Sequence, residues 1–293
     1  MDQLARQVGS QAVEAPEVGV ISMDGGRYQR RELFGQVRAE GQTHWRESKV
    51  GCLLSMRSVE AAEDPHPELP DWLLESRCVR ELASPMGPMG LQEAAGAEEP
   101  EEQSRAWEGP ELVAKEVLAS GEDGESFGRQ LGGRAWQRGF LRARRLAFVA
   151  DGAGINWQVQ QEHFPQAMPI LDLMHALSYA YGASRALKEP EAYVRWAGWI
   201  WSGQVDRVIG ELDEYRRRLG PAPPDGSETD ARQWVDRAWT YYQNHRSRMN
   251  YPEYRRLGLP LTSSHMESTI KQINRRVKGT EKFWTGPGSE AVL

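Results

Sequence analysis

The sequence predicts an α/β core, a mixed sheet with flanking helices and a helical insertion before the last helix. Three observations carry that expectation. Short apolar runs that end in Asp-Gly occupy 17–23 and 146–150, the pattern of buried strands entering turns. Apolar residues at 3–4 spacing dominate from about residue 173 onward. A last helical pattern opens near Ser264, with Met266, Ile270, Ile273 and Val277 on one face and Gly279 closing it. Strands first, a mixed region, then helices fit a single α/β core that carries an insertion.

The elements follow in order. Residues 17–23 form a strand into Asp24-Gly25-Gly26. Residues 28–38 and 43–57 read as hairpin strands beside it. The stretch 60–110 is rich in Pro, Glu, Ala and Gly and leaves the core, with one helix fitting near Trp72 to Leu82. Helices are expected over 111–119 and 126–143. Residues 146–150 are a strand, Ile155 to Val159 opens a helix or a small hairpin, and 168–172 is a strand. Helices then fit Leu173 to Leu187, 189–219 and 229–248. Val205, Val208, Ile209, Leu212, Tyr215 and Leu219 make a buried stripe, and Gly220 to Gly226 separates the last two helices. The resulting divisions are a flexible N-terminus (1–16), a first core part (17–58), an acidic, partly disordered insertion (59–125), a second core part (126–187), a helical insertion (188–260), a final core helix with a basic flank (261–285) and a tail (286–293).

A chain of 293 residues with 39% hydrophobic content can bury a substantial core. Cys52 and Cys78 are the only cysteines, which gives neither a disulfide framework nor a zinc pattern. No apolar run reaches the ~18 residues of a membrane span and no secretory signal is evident, so a cytoplasmic, membrane-free protein is expected. The net charge of −6 speaks superficially against nucleic acid, but its distribution does not. Residues 59–125 hold 18 acidic and 4 basic residues, whereas 241–282 hold 9 basic and 3 acidic ones. A polyanion would meet the second region rather than the average.

Three carboxylates stand out against this background. Asp24 and Asp151 end apolar strands, and Glu267 lies beside Met266 at the edge of the last helix's buried face. Each alone has a plain structural reading, a turn aspartate or a first-turn helix acid. Converging from three elements, they would make the hard oxygen set that Mg²⁺ requires, and two such ions about 4 Å apart serve phosphodiester chemistry. Asp172 and His175 share a helix face, either as an auxiliary pair or as an N-cap with a packed histidine. His265 is a weaker candidate. Arg246, Arg248, Arg255, Arg256, Lys271, Arg275, Arg276 and Lys278 are candidates for DNA-backbone contacts. Trp157, Trp196, Trp199, Trp201, Trp234, Trp239 and Trp284 could stack on bases, or simply pack helices.

Several segments together resemble the catalytic region of bacterial insertion-sequence transposases of the DDE type. They are Ile21 to Arg27, Trp45 to Lys49, Phe148 to Gly154, Leu171 to His175, Asn244 to Tyr251, Arg256 to Pro260 and Ser264 to Ser268. The resemblance implies an RNase H-like core with Asp24, Asp151 and Glu267 as metal ligands and two Mg²⁺ ions, or Mn²⁺ as substitute. It also implies His175 in a catalytic role, Asp172 beside it, double-stranded DNA as partner and a homo-oligomer in the synaptic complex. The implied reaction is strand cleavage by water followed by attack of the freed 3′-hydroxyl on target DNA. Two features depart from the family pattern. Only 23 residues precede Asp24, and Ser263-Ser264-His265 stands where Gly-Ser-Gly is common. The alternative is therefore a catalytically inactive or truncated transposase-derived DNA-binding protein. Two other classes remain open: an acid–base hydrolase using paired carboxylates, and a scaffold in which 59–125 does the work.

Overall fold

A computed structural model of the chain describes residues 14–29, 45–74, 109–223 and 230–264. β1 (Val18–Gln29) and β2 (Trp45–Arg57) pair antiparallel, with Val18 opposite Met56 and Asp24 opposite Val50. β3 (Glu111–Ser120) adds antiparallel to β2, with a register shift at Ser55/Met56. On the other side of β1, β4 (Arg145–Ala150) runs parallel to it, and β5 (Met168–Leu171) runs parallel to β4. The sheet order is thus β3-β2-β1-β4-β5, an antiparallel half joined at β1 to a parallel half. With its flanking helices this is the α/β, RNase H-like architecture expected from the sequence.

Two helices cover one face. α1 (Gly124–Gln137) starts at Asp123, whose carboxylate accepts from Ser126 N at 2.8 Å and caps it. α2 (Gly154–His163) follows β4. A Cβ on Gly51 would meet Leu131 and Phe127 of α1. The close approach of α1 to β2 therefore requires glycine there. Phe148 packs against Trp157 and Phe164, so it faces α2. Through the register, Ile21, Met23, Gly51, Phe148 and Ala150 share this covered face. Phe127, Phe140, Phe148 and Phe164 are fully buried, each worth roughly 1.5–3 kcal/mol relative to exposure.

The remaining helices form a second layer: α3 (Leu173–Leu187), α4 (Pro190–Trp201), α5 (Val205–Leu219), α6 (Ala231–His245) and the short α7 (Tyr251–Arg256). α3 packs on α4 and α6, and α5 packs on α4 and α6. Trp196, Trp201 and Trp234 are buried in this layer and Trp157 against Phe148, which gives all four the packing role rather than the stacking one. The expected stripe on α5 is present, with Val205, Val208, Ile209, Leu212 and Tyr215 all buried.

Three sequence expectations need correction. The strand expected to turn at Asp24-Gly25-Gly26 runs on to Gln29, because β2 pairs with it along that whole length. Residues 111–119 are not a helix but β3; their helix-forming Glu, Ala, Leu and Lys are overridden by pairing with β2. The helix expected over 189–219 is two helices. Gly203, at φ 71°, ends α4 with its N–H on Ile200 O at 3.0 Å and Gln204 N–H on Trp199 O at 2.7 Å, a Schellman closure. The open choice at Ile155 to Val159 resolves to helix, within α2. Of the helix near Trp72 to Leu82, the described part is a 3₁₀ turn at Asp71–Leu73. The strand expected over 28–38 falls mostly outside the described residues.

The start of the acidic stretch lies on the helical layer. Tyr193 OH donates to Leu73 O at 2.9 Å, and Trp201 Nε1 donates to His66 O at 2.9 Å.

Candidate functional site

β1 and β4 are parallel neighbours, with Met23 opposite Ala150. Asp24, inside β1, and Asp151, the first residue after β4, come next along each chain and so lie side by side, roughly one strand spacing of 4.8 Å apart. Alternation puts Asp24 on the face away from the one that Met23 and Ala150 share, while Asp151 follows the end of β4, within reach of Asn156 in the first turn of α2. β5 repeats the pattern: Ala150 is opposite Leu171, and Asp172 comes next, its N–H on Ala150 O at 2.8 Å. An aspartate within β1 and the aspartates just after β4 and β5 therefore stand in a row.

The three are held differently. Asp24 Oδ1 accepts from its neighbour Gly25 N at 2.5 Å. Asp151 Oδ1 accepts from Ala153 N at 3.0 Å and from Asn156 Nδ2 at 2.9 Å. Asp172 is fully enclosed. Its Oδ1 accepts from His175 N at 3.1 Å and caps α3, while its Oδ2 takes both the N–H and the hydroxyl of Ser263 at 2.6 Å. Both its oxygens are committed, so the N-cap reading of Asp172 holds. The carboxylate also ties the chain four residues before Glu267 to the end of β5.

The electrostatics set the row apart from the rest of the molecule. Burial and then the facing Asp151 push Asp24 up to about 6. Burial alone would raise Asp172, but hydrogen bonds from His175 and Ser263 outweigh it and hold its carboxyl below the usual range. His175 stands among all three aspartates, its Nδ1 3.4 Å from Asp172 Oδ1. Burial by itself would lower it, yet Asp172 first, then Asp151 and Asp24, lift it to about 9, and it is a cation at neutral pH.

An aromatic wall stands beside Asp151. Gly152 has φ 106°, and a Cβ there would strike Tyr241 and His245, so this turn demands glycine twice over. Tyr241 OH donates to Asp151 O at 2.7 Å, and its ring stacks on Tyr179 at 3.8 Å between centroids. Burial and the nearby Arg248 hold His245 down to about 4, so it is neutral. The Arg248 guanidinium lies 4.4 Å from the centroid of Trp157. Asn156 and Tyr241 carry no motif; neither is marked by spacing or residue type in the sequence.

The sequence-derived residues are thus partly gathered. Asp24, Asp151, Asp172 and His175 come together. Glu267, His265, Lys271, Arg275, Arg276 and Lys278 lie outside the described residues. Among the described residues no group of three or more His, Cys, Asp or Glu is arranged to hold a metal ion. Arg246 is exposed and paired with Asp206, with 2.7 Å from Nη2 to Oδ2, and Arg256 pairs with Glu253 at 2.7 Å. Arg255 must be corrected as a backbone-contacting residue. Its side chain is completely enclosed, forked onto Asp64 at 2.8 and 2.5 Å and laid 4.0 Å from the centroid of Trp201. No helix of the described residues is long and apolar enough to cross a membrane.

Compared with families of known proteins and with curated proteins, the chain matches none.

Proposed function

We propose that the chain is the catalytic region of a DDE-type transposase, which cuts and joins phosphodiester bonds of double-stranded DNA with two Mg²⁺ ions, or Mn²⁺ in their place. The observation that carries this reading is the pair Asp24 and Asp151, set side by side on neighbouring strands and, among the described residues, without an Arg or Lys ion pair on either carboxylate. The donor chemistry suits such ions. Each carboxylate has one oxygen anchored by N–H donors, and among the described residues its Oδ2 has no hydrogen-bond partner. Two hard, anionic oxygens at one edge are the ligands a small divalent cation prefers over water alone. Glu267, by its place in the sequence, would complete the set.

Bound there, the ions would supply Lewis-acid activation of the attacking hydroxyl and stabilisation of the leaving oxygen. The protein's own contribution is orientation and charge. Asp24 and Asp151 hold the reacting phosphate's position by holding its counterions. His175, as a cation, offsets the carboxylate row and can donate to a phosphate oxygen; it is not a base at neutral pH. Arg246 and Arg248 would meet the DNA backbone near the wall of Tyr179 and Tyr241. Joining two DNA ends at one target would require at least two copies of the chain.

The test is Mg²⁺-dependent nicking of terminal-repeat DNA by the wild type and by Asp151→Asn. The variant should fold normally and lose cleavage. Equal cleavage by both proteins would sink the assignment. DNA retention without any divalent-dependent cleavage by the wild type would leave the inactive, DNA-binding reading instead.

A further inference from the structure

We infer that Asn156 is a positioning residue that decides which carboxylate oxygens of Asp24 and Asp151 are presented to a cation; this rests on reading the pair as a divalent-metal site. Asn156 sits in the first turn of α2 with 2% of its surface exposed. Its amide nitrogen gives one proton to Met23 O at 3.1 Å and the other to Asp151 Oδ1 at 2.9 Å. Both partners are acceptors, so the NH₂ group and not the amide oxygen must face them. Met23 O belongs to the peptide that leads into Asp24. One side chain therefore ties the backbone leading into the first acid to the carboxylate of the second, across two neighbouring strands.

The consequence is a choice of oxygen. Ala153 N and Asn156 Nδ2 both occupy Oδ1 of Asp151, which leaves Oδ2 as the ligand. Without Asn156 the carboxylate keeps one anchor, from Ala153 N, and can rotate about it. No other residue type does the same work at this position. Aspartate has no protons to give at neutral pH and would add a third negative charge. Leucine or alanine would leave Asp151 with a single donor. Glutamine places its amide a methylene further out, in a site with no spare room. Partners that orient metal-binding carboxylates in this way influence affinity nearly as strongly as the ligands themselves.

The experiment is Mn²⁺ binding to the full chain, followed by the electron paramagnetic resonance signal of free and bound Mn²⁺, with thermal unfolding recorded without metal. The proteins are wild type, Asn156→Ala, Asn156→Ser and Asp151→Asn. Asn156→Ala should keep a cooperative melt, bind Mn²⁺ about 10- to 100-fold more weakly and show a changed bound-state line shape. Asn156→Ser, with one shorter donor, should fall between it and the wild type. Should Asn156→Ala fail to fold, the Ser variant decides. Wild-type affinity and line shape in whichever folded variant is measured overturn the inference alone. No Mn²⁺ retained by the wild type overturns the site itself, and this inference with it.

Discussion

The two ends of the parallel strands handle buried charge in opposite ways. Where β4 begins, Arg145 donates to Ser58 Oγ, Ser58 O, Leu257 O and Glu17, at 3.0, 2.6, 2.7 and 2.7 Å. Nearby, Arg255 is forked onto Asp64 and lies against Trp201. Every charge there has its opposite. Where β4 ends beside β1, Asp24 has, among the described residues, a single hydrogen bond from its own neighbour and faces another carboxylate. The first arrangement holds the fold together. The second costs the fold free energy and persists because the rest of the sheet dictates it, which is how sites built for chemistry differ from sites built for stability.

That contrast predicts substitutions of opposite sign. Arg255→Met removes one partner of an enclosed ion pair and strands Asp64. It should lower unfolding free energy by about 3–5 kcal/mol in urea denaturation, more than a substitution at Asp24 should change it. A loss below about 1 kcal/mol would mean the pair is dispensable and the comparison fails.

Asp24→Asn should do the reverse. With its pKa raised from 3.8 to about 6, ionised Asp24 destabilises the metal-free fold. The penalty is full above about pH 6 and absent below 3.8, where both folded and unfolded chains carry the proton. The variant should therefore be more stable than wild type by up to about 2 kcal/mol at pH 8, with the gain fading between pH 6 and 4. His175 has the opposite sign. Its pKa of about 9 adds stability that is complete below 6.5 and is lost as pH rises through 9. Melting curves of wild type, Asp24→Asn and His175→Ala at pH 4, 8 and 10 separate the two. A destabilised Asp24→Asn at pH 8 would show that Asp24 is structural.

How much of this was readable in advance depends on range. β4 and β5 were legible because their apolar runs are local, and Asp151 because a strand-ending acid is visible in a run of six residues; at Asp24 the same local pattern misled, since pairing with β2 carries β1 on to Gln29. Asp172 as an N-cap was legible from its spacing to His175. β3 was not, because Glu111–Ser120 carries helix formers and only its partner β2, about 60 residues earlier, makes it a strand. Arg255 looked like a surface cation, and its partner Asp64 stands 191 positions away. Asn156 gave no signal at all; its role exists only once β1 and β4 are neighbours.

A third effect follows from protonation of Asp24. A cation bound at the pair must displace that proton, so Mn²⁺ affinity should fall about tenfold per pH unit below about 6, near 1.4 kcal/mol per unit. Titrations at pH 7, 6 and 5 measure it. A flat profile would exclude Asp24 from the binding set while leaving Asp151 in question.

The smallest effect tests where the site stops. In Tyr241→Phe the ring remains to stack on Tyr179 and to fill the space over Gly152, and only the hydroxyl bond to Asp151 O is lost. That carbonyl belongs to the backbone, whereas the Asp151 carboxylate keeps its anchors from Ala153 and Asn156. Stability should fall by about 1 kcal/mol, the worth of one buried hydrogen bond, while Mn²⁺ affinity changes by less than a factor of about three. A larger change in affinity than in stability would put the aromatic wall inside the site, because a residue that only supports the backbone must cost the fold at least as much as it costs the metal.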